Sequence, residues 1–222
     1  MKTETVQECL KDAFQIYGLP NCILCDNGSP WASNWATRYT RLELWLFLHG
    51  VNVIHGRPYH PQTQGKEERF HRTLNVELIR RVDGFRNIAH CEKEFKTWRR
   101  IYNWERPHES LNMKTPSDLY VYSKRAFPDQ PPNPESWYLK EDQIRKVQKN
   151  GVVEFKGKKL WVGEGFWGFK VALRKNGEDK WGMWFASKKI GVYDMKTGKR
   201  EHTGLIHKTT TENPKPTSDT NA

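Results

Sequence analysis

The sequence predicts an α/β section followed by a small all-β barrel. Two observations carry this expectation. From residue 3 to about residue 104, helical and strand periodicities alternate in the order helix, strand, helix, strand, helix, helix. After a proline-rich break the apolar residues come instead in short alternating runs separated by glycines, the pattern of a small antiparallel barrel.

The first helix covers residues 3–17. Val6, Leu10 and Phe14 recur every four residues, Thr3 or Thr5 can cap the start, and Gly18 with Pro20 stops it. Cys22 to Cys25 is a short apolar strand that runs into the turn sequence Asp26-Asn27-Gly28. Residues 36–49 are helical, with Leu42, Trp45, Leu46 and His49 on one side and Gly50 as the stop. Val51 to Ile54 is the second strand, and residues 57–65 form a polar loop bearing Pro58, Pro61 and Gly65. A helix over 66–82 aligns Phe70, Leu74 and Leu78. Another from Ile88 to Trp104 offers Phe95, Trp98, Ile101 and Tyr102 for burial.

Pro128, Pro131, Pro132 and Pro134 mark 123–136 as an extended connection. Beyond it, 151–155, 159–162, 169–173 and 181–185 read as strands, punctuated by Gly157, Gly163, Gly165, Gly177 and Gly191. From Lys208 the composition predicts disorder. The expected organisation is therefore 1–122, a connection over 123–136, a barrel over 137–207 and a tail over 208–222.

Composition narrows the function classes. There are 37 Lys and Arg against 26 Asp and Glu, a formal charge of +11, which makes polyanions the natural partners. Ten tryptophans supply large apolar areas to a chain whose hydrophobic content is only 36%. The longest apolar stretch, Leu44 to Leu48, is far too short to span a bilayer, and the N-terminus carries no signal-peptide apolar region. Four cysteines are not a disulfide framework at this length, so a reducing, cytoplasmic setting is expected. Cys22 and Cys25 form a CxxC, but no second pair follows at ligand spacing. On a strand, i and i+3 face opposite ways, which favours core thiols over a zinc or redox site.

Two acids stand where chemistry is common. Asp26 lies where a strand runs out into a turn, and ligands in α/β sheets gather at such carboxyl ends. Glu68 lies in the first turn of the strongest helix. Two carboxylates brought together from these places suit Mg²⁺, a hard cation that prefers oxygen. The plainer alternatives stay open. Asp-Asn-Gly is a common turn, and Glu68 is spaced to pair with Arg72 along its own helix. Arg57, His60, Gln62, Gln64, Lys66, Arg69 and Arg72 cluster around the loop and helix start, as phosphate contacts or as a solvated face. In the barrel region Lys158, Lys159, Lys170, Arg174, Lys188 and Lys189 interleave with Trp161, Trp167, Trp181 and Trp184. These indoles are expected in the barrel core rather than as base-stacking platforms.

The wording of three segments adds a resemblance. Leu24-Cys-Asp-Asn-Gly-Ser-Pro-Trp31, then His55-Gly-Arg-Pro-Tyr-His-Pro-Gln-Thr-Gln-Gly-Lys-Glu-Glu-Arg-Phe-His-Arg-Thr-Leu74, then Tyr102-Asn, Arg106-Pro-His-Glu-Ser-Leu and Thr115-Pro116 follow in order. Together they resemble the catalytic core of bacterial insertion-sequence transposases of the DDE type, in the retroviral-integrase superfamily. The resemblance implies a partial RNase H-like core, followed by a small SH3-like barrel like the family's C-terminal domain. It implies Mg²⁺ (or Mn²⁺) held by Asp26 and Glu68 as the second and third acids of the triad. Glu68, not Glu67, directly precedes Arg-Phe-His as the family pattern requires.

The family's first Asp belongs to a strand that precedes the helix at residues 3–17, and Glu4, Glu8 and Asp12 do not replace it. The expected function is therefore DNA strand cleavage and transfer in transposition, with this chain inactive by itself. The alternative is a non-catalytic DNA-binding or regulatory fragment of a transposase. Expected partners are double-stranded DNA and further copies of the chain or a full-length transposase, in a bacterial cytoplasm and on the nucleoid.

Overall fold

The computed structural model describes residues 3–25, 28, 31, 39–55 and 65–201. The chain divides into two compact units: Met1–His55 with Ser123–Ala222, and Gly56–Tyr122.

In the first unit, helix α1 (Thr3–Tyr17) buries Val6 and Phe14. It ends at Gly18, whose φ of +76° no β-carbon favours and whose N–H closes on the Phe14 carbonyl at 2.9 Å. Strands β1 (Cys22–Cys25) and β2 (Asn52–His55) pair in parallel, with Cys22 opposite Asn52 and Cys25 opposite His55. Among the described residues, one face of the pair is covered. Ile23 and Val53 pack toward the core, whereas Leu24 and Ile54, opposite one another in register, are 44% and 41% exposed. Cys22 is exposed and Cys25 buried, so the two thiols do face opposite ways, but only Cys25 is a core thiol.

Helix α2 (Arg41–Leu48) joins the strands. The expected start at residue 36 falls outside the described residues. The described helix opens with a capping box the periodicity does not reveal: the Thr40 hydroxyl accepts the Glu43 N–H at 3.1 Å, and Glu43 Oε2 accepts the Thr40 N–H at 2.6 Å. It is buried almost all round, through Leu42, Glu43, Leu44, Leu46, Phe47 and Leu48. Leu46 joins Phe14, Leu19 and Val51 in one core, while Leu44, Phe47 and Leu48 belong to a second, larger one.

That second core is shared with the C-terminal strands β3 (Gln143–Lys146), β4 (Val152–Phe155), β5 (Lys158–Trp161), β6 (Lys170–Lys175), β7 (Lys180–Phe185) and β8 (Lys188–Asp194). Of the expected small barrel, the described strands show open sheets and no closed barrel. The strands form an open antiparallel sheet in the order β3-β6-β7-β8 and a separate β4–β5 hairpin. Leu44, Phe47 and Leu48 of α2 fill the interior, so a helix, rather than further strand pairing, covers the apolar face. Gly191 proves to be inside β8 rather than in a turn. A β-carbon there would meet Arg200 Nε at 2.4 Å, so the glycine is set by close approach of a guanidinium.

Residues 123–127 lie against the first unit's helical corner. Arg125 donates to the carbonyls of Pro20 (3.0 Å), His49 (2.6 Å) and Gly50 (3.1 Å), and Phe127 stacks on His49 at 5.1 Å.

In the second unit, α3 (Gly65–Leu74) runs on into a π-helical turn, Asn75–Ile79, and α4 (Ile88–Arg100) into another, Ile101–Glu105. Both turns close with i to i+5 hydrogen bonds, Arg80 N–H to Asn75 O and Arg106 N–H to Ile101 O. Asn87 caps α4 by accepting the His90 N–H at 2.8 Å. Phe70 meets Trp98 and Tyr102 edge-on at 5.7 and 5.6 Å, and a short helix α5 (Pro116–Leu119) follows.

Candidate functional site

Asp26 lies outside the described residues, as do Arg57, His60, Gln62 and Gln64. What is described is their frame. Strand β1 ends at Cys25, directly before Asp26, and β2 ends at His55, directly before residues 56–64. The register puts these two strand ends side by side. His55 is tied to the helix below it, with its Nε2 2.9 Å from Oε1 of Glu43, a carboxylate only 3% exposed. Since Glu43 also takes the Thr40 N–H, one buried acid joins the start of α2 to the end of β2.

Glu68 sits in the first turn of α3 and is exposed. Its neighbour Glu67 lies 3.7 Å from His71 Nε2, whereas Glu68 makes no ion pair with a described residue; in particular it does not pair with Arg72. Lys66, Arg69 and Arg72 share the same exposed helix. Among the described residues no group of three His, Cys, Asp or Glu side chains converges to hold a metal.

The segment from Tyr102 to Pro116 turns out to be architectural. Glu77, in the first π turn, accepts Trp98 Nε1 at 3.1 Å with one oxygen and pairs with Arg106 through the other. The His108 ring packs on Tyr102 at 4.6 Å and its Nε2 donates to the Tyr102 carbonyl at 3.2 Å. Its backbone N–H donates to Lys114 O, closing a loop that ends in the Thr115–Asp118 capping box with Pro116 in the first helical turn. Arg106 thereby ties the end of α4 to the π turn that continues the helix carrying Glu68, and His108 ties the loop back to Tyr102.

The basic residues of the sheet divide sharply. Arg174 makes a two-pronged pair with Asp142, both contacts at 2.8 Å, and this raises the guanidinium's affinity for its proton. Burial alone would raise the Asp142 pKa, but the Arg174 and Leu139 N–H donors outweigh it and hold the carboxyl below its ordinary value. Lys170 pairs with Glu135 at 2.8 Å. Lys188 lies over the Phe47 ring and donates to Asn52 Oδ1 at 3.1 Å, and burial lowers its pKa. Lys158 and Lys159 remain at the β4–β5 hairpin, where they line a cavity of about 300 Å³ with Arg145, Glu154, Lys156 and Gly157. Arg145 and Lys156 were not among the candidates the sequence suggested, because only the fold brings β3 beside that turn.

The tryptophans correct a second expectation. Trp161 and Trp167 are 39% and 51% exposed, and Trp181 and Trp184 are half-buried; Trp181 packs against the buried core from outside, and that core is built from Val, Leu, Ile, Phe, Met and Tyr. Instead cations cover three of them: Lys149 over Trp167 at 5.9 Å, Lys156 over Trp181 at 4.4 Å and Arg174 over Trp184 at 4.8 Å.

With this geometry in view, comparison with known proteins places the chain. Residues 49–116 match the integrase core domain, and residues 142–201 match the C-terminal domain of IS481 family transposases. Two separate stretches of the chain thus match families of mobile-element proteins, an integrase core followed by a transposase C-terminal domain. The chain also shares part of its length with other proteins. It is 27% identical over 126 residues to the insertion element IS407 uncharacterized 31.7 kDa protein of Burkholderia multivorans, covering 57% of this chain and 43% of that protein. It is 28% identical over 120 residues to the putative integrase ORF3 of Spiroplasma virus SpV1-C74, covering 51% and 33% respectively. Over 80 residues it is 36% identical to an intracisternal A-particle Pol-related polyprotein of mouse intracisternal a-particle MIA14, 35% of this chain and 8% of that one. The chain thus spans less than half the length of each of these relatives. No helix among the described residues is long and apolar enough to cross a membrane.

Proposed function

We propose that this chain takes part in the metal-dependent cleavage and transfer of DNA strands by which an insertion element moves, with Asp26 and Glu68 as two of the acids. The observation that carries the reading is the state of the two adjacent glutamates: Glu67 is engaged by His71, while the exposed Glu68 carboxylate has no cationic partner among the described residues. Both candidate ligands are carboxylates, the donors that Mg²⁺ or Mn²⁺ prefers. A bound pair of such ions supplies activation of the attacking hydroxyl and stabilisation of the leaving oxygen. The protein's own part is to hold the acids. Asp26 follows β1, whose end pairs with His55, the residue held by Glu43, and Glu68 lies in the first turn of a helix braced through Glu77 and Arg106.

In this reading the first section is part of an RNase H-like core. The C-terminal strands are an SH3-like DNA-binding module, and the protein works on double-stranded DNA as an assembly of several copies or with a full-length transposase. The sequence expectation of a bacterial, nucleoid-associated protein fits this reading.

The test is Mn²⁺ titration followed by electron paramagnetic resonance, with labelled element ends in a strand-transfer assay alongside. Asp26→Asn and Glu68→Gln should each weaken Mn²⁺ binding about tenfold or more, equivalent to about 1.4 kcal/mol, and Glu67→Gln should not. Loss of binding in Glu67→Gln with none in Glu68→Gln would overturn the assignment.

A further inference from the structure

We propose that the turn of the β4–β5 hairpin, with the adjoining strand β3, is a seat for one phosphodiester of a DNA backbone, and that Arg145 and Lys156 are its fixed cations. This rests on the DNA-binding reading above and names the place and the residues.

Three observations converge there. The first is charge. The cavity of about 300 Å³ is lined by Arg145, Lys156, Lys158 and Lys159 against the single acid Glu154, which faces Lys159 across the hairpin. Elsewhere on the sheet Arg174, Lys170 and Lys188 are committed to Asp142, Glu135 and Asn52. Here Lys158 reaches a backbone carbonyl, that of Lys196, at 3.3 Å, and Arg145 uses one nitrogen on its neighbour's carbonyl, Ile144 O at 2.8 Å. Neither is neutralised by these contacts.

The second observation is order. Arg145 lies over the Phe155 ring at 5.3 Å, and Lys156 lies over Trp181 at 4.4 Å and Phe155 at 5.6 Å. The two rings pack edge-on at 4.7 Å, and Phe155 is a core residue only 3% exposed. The cations are therefore held on a platform continuous with the interior. A flexible lysine or arginine loses rotamer freedom when it binds an anion, and holding it beforehand removes part of that cost.

The third is the backbone. Lys156 and Gly157 have φ of +47° and +71°, the two-residue hairpin turn with both central residues left-handed. Glycine and asparagine suit the first of these positions; a lysine there is strained. A charge at this tip, kept at a conformational cost, is what a phosphate seat requires. Spacing along the sequence does not disclose it, since Arg145 lies on β3 and Lys156 in the β4–β5 turn.

The same chemistry would accept a free phosphate, so the test separates the two sources. Duplex binding by the full chain is followed by fluorescence anisotropy across salt concentrations, without metal, so catalysis and this seat are read independently. Each neutralised phosphate contributes roughly 0.9 to the slope of log K against log salt. Arg145→Gln and Lys156→Asn, the latter keeping a residue that tolerates the left-handed backbone, should each lower the slope by about one such increment. Both should melt like the parent. Lys11→Gln, on α1, should leave the slope unchanged. A slope unaltered in both hairpin variants overturns the proposal. Amide shifts of Lys156 and Gly157 on adding inorganic phosphate, with none on adding duplex, also overturn the DNA assignment and mark a small-anion site instead.

Discussion

Replacing Phe47 by alanine asks whether α2 belongs to the core of the C-terminal sheet. Phe47 is 3% exposed, its ring meets Tyr39 edge-on at 5.5 Å, and it shares one cluster with Phe166, Phe185, Val171 and Leu173. Truncating a buried phenylalanine costs about 3–5 kcal/mol through lost transfer energy and the cavity left behind. A folded unit holds roughly 5–15 kcal/mol in total. At roughly 2–4 °C per kcal/mol for a unit of this size, the melting temperature should fall by about 10 °C. The location of the damage is more telling than its size. Hydrogen exchange read by mass spectrometry should show β6, β7 and β8 losing protection together with residues 41–48, because helix and sheet bury the same side chains. If Phe47→Ala loosens 41–48 while peptides over 170–194 keep their protection, the shared core is wrong. The sheet would then be an independent module, as the proline-rich stretch suggests.

Three other perturbations give separable outcomes. Asp142→Asn leaves Arg174 facing a neutral amide; the Asp142 side chain is fully buried but Arg174 is 28% exposed, so the cost should be about 2–3 kcal/mol, below that of a fully desolvated pair, read as a lower urea midpoint. His49 is held below its ordinary pKa of 6.5 chiefly by burial, so the unfolded chain takes up the proton first; stability is complete above about pH 6.5 and declines as pH falls below it. The difference in urea midpoint between pH 7.5 and 5.5 should shrink in His49→Gln, and an unchanged difference would assign the acid sensitivity elsewhere. Arg106→Ala removes the partner of Glu77 on a pair that is partly exposed, so a loss of about 1 kcal/mol is expected. It should appear as faster amide exchange at the C-terminal end of α4 with β1 and β2 untouched.

The sequence alone determined the elements whose cause is local. The four-residue spacing of Val6, Leu10 and Phe14 gives α1, the Phe70 and Leu74 stripe gives α3, and the apolar runs ending at Cys25 and His55 give β1 and β2. Its motif wording also singled out the integrase-type segment, because that information lies in consecutive residues. The π turns that end α3 and α4 were not legible, since a one-residue change of hydrogen-bond register leaves little trace in periodicity.

What only tertiary structure decided is which side chains meet across distant stretches. Strand β8 was hidden by Gly191, a residue selected by the approach of Arg200 from nine positions on rather than by a turn. The tryptophans were expected inside because indole area favours burial, yet three carry a cation on the ring face, an arrangement that depends on strand neighbours. Lys170, Arg174 and Lys188 looked like free phosphate contacts until the fold supplied Glu135, Asp142 and Asn52 as their partners. Charge is a property of the residue, but whether that charge is available to a ligand depends on partners 32 to 136 positions away, which no local pattern encodes.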